Sequence, residues 1–329
     1  MKALVCEAYG PIANLVVKDI PSPVPGPKQV LIEVKSAAVN FPDALMVQGL
    51  YQVKPPLPFT PGAEIAGVVT AVGAEVTQCK PGDRVIALTS TGGFAEECLA
   101  EAHRVLPLPA GMDFDSGAAL VLTYCTSLHA LKDCGHLQPG ETLVVLGAAG
   151  GVGISAIEIG KAMGARVIAA ASSDDKLALC RKVGADETVN YSTENPMHLR
   201  DRINELTGGK GADVVYDPVG GPYTEPAVRA LAWRGRLLII GFAAGEIPKI
   251  PLNLALLKER SLVGVYWGDS TKHDPAGHLA NLRQLNDWFA AGKIRPVVSE
   301  RYALDAARDA LAAIANRQVK GKIVVVPDA

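Results

Sequence analysis

Residues 141–160, ETLVVLGAAGGVGISAIEIG, decide the fold. ETLVVLG is an apolar run of the kind found in a strand buried on both faces. GISAIEIGKAMGA (153–165) has helical character and ends at glycine. Between them, Gly150, Gly151 and Gly153, with Ala149 and Val152, form a turn whose backbone can approach a ligand closely. In a G-x-G-x-x-G frame, Gly150 and Gly153 fill the second and third places and Ala148 fills the first. A second strand, RVIAAAS (166–172), follows. Strand, glycine turn, helix and strand in that order describe a nucleotide-binding unit in which the helix N-terminus favours a pyrophosphate. The alternative is a glycine turn that serves helix packing alone.

The alternation continues outward. DDKLALCRKVGA, ETVNY, MHLRDRINELTGG, ADVVYD, TEPAVRALAWRG and RLLIIG read in turn as helix, strand, helix, strand, helix and strand. Strands apolar on both faces and separated by helices imply a parallel sheet covered on both sides, a doubly wound α/β fold. Residues 1–122 follow a different pattern. PSPVPGPKQVLIEVKSAAV, EIAGVVTAVGAEV and KPGDRVIAL are short Val- and Ile-rich runs cut by Pro and Gly, which read as strands of a mainly β domain. After residue 262 come a strand (SLVGVYW), a helix (LANLRQLNDWFAAGK), a second helix (LDAARDALAAIAN) and a strand (KIVVVP). Periodicity alone leaves them open to either domain.

The chain has 329 residues, 49% hydrophobic and 20% charged, which suits two domains with sizeable cores. A net charge of −2 provides no field for nucleic acid or an anionic membrane, so neither is expected as a partner. The six cysteines form no C-x-x-C pair, which argues against a structural zinc, and they are expected to serve mainly as small core hydrophobes. No signal peptide and no membrane-spanning run is recognisable, and a cytoplasmic location is expected. The six histidines are expected in surface or capping roles.

The end of the second strand bears on the nucleotide. An NAD-preferring fold places an acid there for the ribose hydroxyls. Here Ser172 and Ser173 hold the place and Lys176 follows, a set suited to a 2′-phosphate and hence to NADPH. Asp174 and Asp175, one or two places later, fit the first turn of a helix.

Together, AAGGVG, KGADVVYDPVGG (210–221), KPGDRV and NFPDALMVQGLY (40–51) resemble the quinone oxidoreductase, zeta-crystallin-like branch of the medium-chain dehydrogenase/reductase superfamily over nearly the whole chain. The resemblance implies a Rossmann NADPH-binding domain, 123–262, inserted in a GroES-like catalytic domain made of 1–122 and 263–329. It implies an active site in the cleft between the two. Zinc-dependent members carry a metal-ligating Cys and a Gly-His-Glu. This chain has Asn40 at the first place and Ala63 for the His in PFTPGAEIAG (58–67), so no catalytic metal is expected and Glu64 is left as part of the scaffold.

Without a Lewis acid, alcohol oxidation is hard, whereas reduction of a polarised acceptor by nicotinamide hydride stays accessible. The substrate implied is a quinone, with an enone, enal or enoyl-thioester as the alternative. A further alternative is a crystallin-like NADPH-binding protein without catalysis. By resemblance, Tyr51 is a candidate proton donor, against a pocket-lining role with water as the acid. Asn40 and Asp43 would sit near the nicotinamide ribose, and the alternative for Asp43 is a helix N-terminal acid. Thr123 would face the nicotinamide or cap a helix. Tyr191 would lie near the adenosine phosphate or simply pack at a strand end. Gly241, Phe242, Val265 and Trp267 would hold the nicotinamide through strand-end backbone, with Asn253 close to the cofactor. Lys54, Lys258, Arg260 and Lys272 are candidates for the charges that a CoA substrate would need. The family also implies a homodimer.

Overall fold

The structure, a computed structural model, describes residues 1–192 and 195–327. It separates into two compact units, 1–122 with 296 onward, and 123–295.

The first unit is built on a seven-stranded sheet. Six strands run edge to edge in the order Val298–Ala303, Lys322–Val326, Gln29–Ala38, Glu64–Val72, Arg84–Leu88 and Val105–Pro107, and Glu97–Glu101 also pairs with Gln29–Ala38. Val30, Ile32, Val34, Ile65, Phe94, Ile323 and Val325 form its buried core. Two registers position the site. Ala38 stands opposite Glu64, and Val324 stands opposite Ala38 with the strands antiparallel. Continuing the second pairing by two residues sets Lys322 across from Asn40. The last strand thus brings a lysine to the residues of the early loop.

The second unit carries a parallel six-stranded sheet in the order Glu187–Asn190, Arg166–Ala171, Thr142–Val145, Ala212–Asp217, Leu231–Ile239 and Ser261–Gly264. The helix Gly151–Ala162 follows the glycine turn. Val144, Leu146, Ile168, Val215 and Leu237 lie in the core. Among the described residues, no helix is long and apolar enough to cross a membrane.

Two expectations are corrected here. TEPAVRALAWRG is helical only over Thr224–Arg229, because Leu231 already opens a nine-residue strand. The segment 263–295, assigned above to the GroES-like domain, belongs with the second unit. Strand Ser261–Gly264 extends the parallel sheet. The helix Pro275–Ala290 is tied by Asn281, which accepts from Lys132 Nζ and donates to Asp133, each in the same unit. Only from residue 296 does the chain return to the first sheet.

Inside the second unit, the Tyr124 hydroxyl donates to Glu158, and the Arg295 N–H donates to the same carboxyl. Burial, opposed by these donors, pushes the Glu158 carboxyl up to about 7. A folded pKa above the unfolded value means that the folded state holds the extra proton between the two values. Stability therefore falls as pH rises from about 4.5 towards 7 and levels off above that. Urea melts of the Glu158→Gln variant should show a flatter stability profile across this window than the parent. A parent-like slope would remove Glu158 as its source.

Candidate functional site

In the first unit, Asn40 precedes the helix Phe41–Val47, and its N–H donates to Asp43 Oδ2 at 2.8 Å, one half of a capping box. Asn40 and Asp43 are 4% and 1% exposed and Glu64 is fully buried. Lys322, also buried, donates from Nζ to Asn40 Oδ1 at 2.5 Å and lies 3.5 Å from Glu64 Oε2. Glu64 Oε1 accepts the Leu122 N–H at 2.7 Å, and Oε2 accepts Asn40 Nδ2 at 3.3 Å. Burial pushes the Asp43 carboxyl up to about 7, against the pull of the Asn40 N–H and the Lys322 ammonium. Burial also raises the Glu64 carboxyl and lowers the Lys322 ammonium, while their mutual attraction opposes both shifts. We read Lys322 and Glu64 as the ion pair and Asp43 as the group that keeps its proton towards neutrality.

Asp43 lies in the first turn of the helix, and both Asn40 and Asp43 are buried in the early loop. Lys322 went unnoticed in the sequence, where the only signal is a cation opening an otherwise apolar strand. Ala63 has no lone pair, the Asn40 oxygen is taken by an ammonium, and both Glu64 oxygens are engaged. Among the described residues, no group of three or more His, Cys, Asp or Glu is placed to hold a metal ion. Tyr51 lies four residues beyond the end of the helix Phe41–Val47, half-buried and packed against the first unit's core.

In the second unit, the glycine turn has two distinct demands. A Cβ at Gly153 would sit 2.5 Å from the Gly147 carbonyl oxygen, so close helix–loop packing requires glycine there. At Gly150 a Cβ would meet only that same oxygen, at 3.4 Å. Packing leaves room there, and the glycine keeps the helix N-terminus bare for a ligand. Gly150 is the N-cap of the helix, and the first-turn N–H groups have no partners within a helix. Ala149 is buried in the turn, while Gly151 and Val152 are half-buried in the first turn. The loop rests on the next strand's end. Gly147 abuts Val219, and Asp217 accepts the Val219 and Gly220 N–H groups and the Thr224 hydroxyl. Asp217 was not foreseen, since an acid at a strand end is common.

The other assigned residues divide. Ser173 caps the helix Asp174–Lys182 by accepting the Lys176 N–H, and Lys176 Nζ donates to Ser172 Oγ at 3.3 Å on the surface. These three are brought together, and Asp174 and Asp175 fall in the first helical turn. Thr123 lies inside the helix Val121–Leu128, not at its cap, and its carbonyl accepts the Ser155 hydroxyl. Tyr191 is buried against Tyr223 with ring centroids 4.4 Å apart. Gly241 and Phe242 follow strand Leu231–Ile239, and the Phe242 ring covers Gly220, while Val265 donates to Ile239. The Trp267 ring leans on His278 in a polar pocket that contains none of the loop glycines. Asn253 is exposed at the start of a four-residue helix.

A parallel sheet with a glycine-capped helix, joined to a GroES-like β unit, defines a two-domain dehydrogenase scaffold. Family models agree: residues 26–110 match the alcohol dehydrogenase GroES-like domain and 151–283 the zinc-binding dehydrogenase domain. A quinone oxidoreductase-like protein 2 homolog from Nematostella vectensis is 38% identical over 98% of this chain and 88% of the relative. The quinone oxidoreductase of Pseudomonas aeruginosa is 36% identical over 99% of both. The structure of Escherichia coli quinone oxidoreductase complexed with NADPH superposes with a TM-score of 0.90, at 28% identity, over 99% of this chain and all of that one. The chain belongs to the quinone oxidoreductase family of the zinc-binding, medium-chain dehydrogenase/reductase superfamily.

Removing one partner of a buried ion pair costs about 3–5 kcal/mol, because the other charge stays behind. Lys322→Met should therefore destabilise the protein by that order in urea unfolding. Adding Glu64→Gln should recover part of the loss. Additive losses would show that the two residues are not coupled.

Proposed function

We propose that this chain is an NADPH-dependent reductase that passes hydride to a quinone or related activated carbonyl without a bound metal ion, and that it acts as a homodimer. The observation that carries the cofactor is the glycine turn, where Gly150 caps a helix N-terminus and a Cβ would meet only the Gly147 oxygen. Bound there, NADPH supplies the hydride. The pair formed by Lys176 and Ser172 offers an ammonium and a hydroxyl to a 2′-phosphate, and the E. coli relative is described with NADPH. The metal-free part rests on the engaged donors around Lys322. The edge strand Ser261–Gly264 supports the dimer, since it is paired on one side only.

The acceptor follows from what the residues can do. Asn40 and Asp43 are enclosed, so they hold the loop and do not exchange protons with substrate. Quinone reduction puts charge on oxygens that solvent can protonate, so it makes no demand for a dedicated acid. Conjugate reduction of an enoyl thioester must also protonate a carbon, and Tyr51 is the candidate phenol for that step.

Two variants test this. Lys176→Ala should raise the KM for NADPH about tenfold, as loss of a charge-assisted bond implies, with NADH unaffected. Equal effects on both cofactors would contradict the phosphate assignment. Tyr51→Phe should leave quinone reduction within about threefold of the parent, whereas a general acid contributes ~10²-fold or more. A collapse with a short enoyl-CoA as the better substrate would move the enzyme to conjugate reduction.

A further inference from the structure

Cys134, in the second unit, does not behave as the core-filling thiol its sequence suggests. It ends a π-helical turn, His129–Cys134, in which the Gly135 N–H donates to the Ala130 carbonyl five residues back. In a regular α-helix, residues five apart point in different directions. The wider π turn brings them onto one face. Here it sets Cys134 Sγ 3.4 Å from His129 Nε2. The other ring nitrogen, Nδ1, lies 2.9 Å from Asp133 Oδ2. Asn281 Nδ2 donates to that same carboxylate oxygen at 2.8 Å and is itself held by Lys132. The result is a thiol, an imidazole and a carboxylate in relay order, with an amide fixing the carboxylate. His129 and Asp133 also line a cavity of about 410 Å³, together with His136, Trp267, Ser270 and His278.

We propose that Cys134 is a nucleophilic modification site, its thiol activated by His129 and Asp133, that small electrophiles of the α,β-unsaturated carbonyl class alkylate. In this step the thiol proton passes to His129 Nε2. The sulfur electron pair forms a C–S bond at the electrophile's β carbon, and the C=C π pair moves onto the α carbon and its carbonyl. The proton on His129 then reaches the α carbon, which restores the neutral imidazole. No oxidant is required.

The charged surroundings agree with this. The hydrogen bond to Cys134, then that to Asp133, raises the His129 imidazole to about 9, so the ring readily holds the proton that it takes from the thiol. His278 faces it from the helix Pro275–Ala290 and is pushed down by burial and by the His129 charge, so it adds no competing cation. Lys132 is turned to Asn281 and Gln284, while His136 and Asp274 also line the cavity. The remaining cysteines provide the contrast. Cys6, Cys98, Cys125 and Cys180 are buried, and burial pushes Cys98 and Cys180 up to about 12. Cys79 is half-buried like Cys134, but burial and the Asp83 carboxylate raise its thiol.

The test is timed labelling of the folded protein with N-ethylmaleimide, a cyclic unsaturated carbonyl, read by peptide mass mapping. Cys134 should label first, at least about tenfold faster than Cys79 at pH 7, and His129→Gln should slow Cys134 by about tenfold. The comparison with Cys79 is made in the parent protein, so it decides the matter even if the His129 variant fails to fold. Parity with Cys79, or an unchanged rate in a folded His129→Gln protein, would each overturn the proposal.

Discussion

The ion pair between Lys322 and Glu64 ties the two ends of the first unit together. Lys322 comes from the last strand, and Glu64 opens a strand nearly 260 positions earlier; their contact follows from two registers that share Ala38. A buried pair of this kind contributes little net stability and instead specifies arrangement, since either charge alone would be costly. Here it fixes which residues can meet Asn40, and through Asn40 it fixes the helix that Asp43 caps. The early loop is held by charge complementarity at the place where metal-dependent relatives are expected to use ligands.

The second unit meets a different constraint. Its loop must be tight where helix meets strand and open where a ligand would approach. Gly153 satisfies the first, Gly150 the second, and the Asp217 turn supports both from the neighbouring strand end. A parallel sheet makes this possible because its strands all deliver loops to the same edge. Ser172, Ser173 and Lys176 lie apart from that loop, around the cap of the next helix.

Much of this was legible in the sequence because it is local. The alternation of apolar strand and helix from residue 141, and the turn residues before 122, carry the fold class directly. Ser172, Ser173 and Lys176 cluster because they are consecutive around one helix cap. What stayed hidden depends on long-range register. Nothing local shows that Lys322 faces Asn40, that Glu158 lies beneath Tyr124, or that Trp267 turns to His278. The boundary at 263 was misplaced for the same reason. One apolar strand looks alike whether it extends a parallel sheet or returns to an antiparallel one. The π turn at His129 was equally invisible, since α-helical spacing separates the residues that it joins.

The central claim is that an ammonium, rather than a metal ion, completes the buried polar cluster of the first unit. The direct measurement is metal content by inductively coupled plasma mass spectrometry after dialysis against zinc, set beside NADPH-dependent activity in the same sample. The account predicts far less than one zinc per chain with activity unchanged by chelator. One tightly held zinc, lost together with activity on chelation and absent from an Asn40→Ala protein, would contradict it.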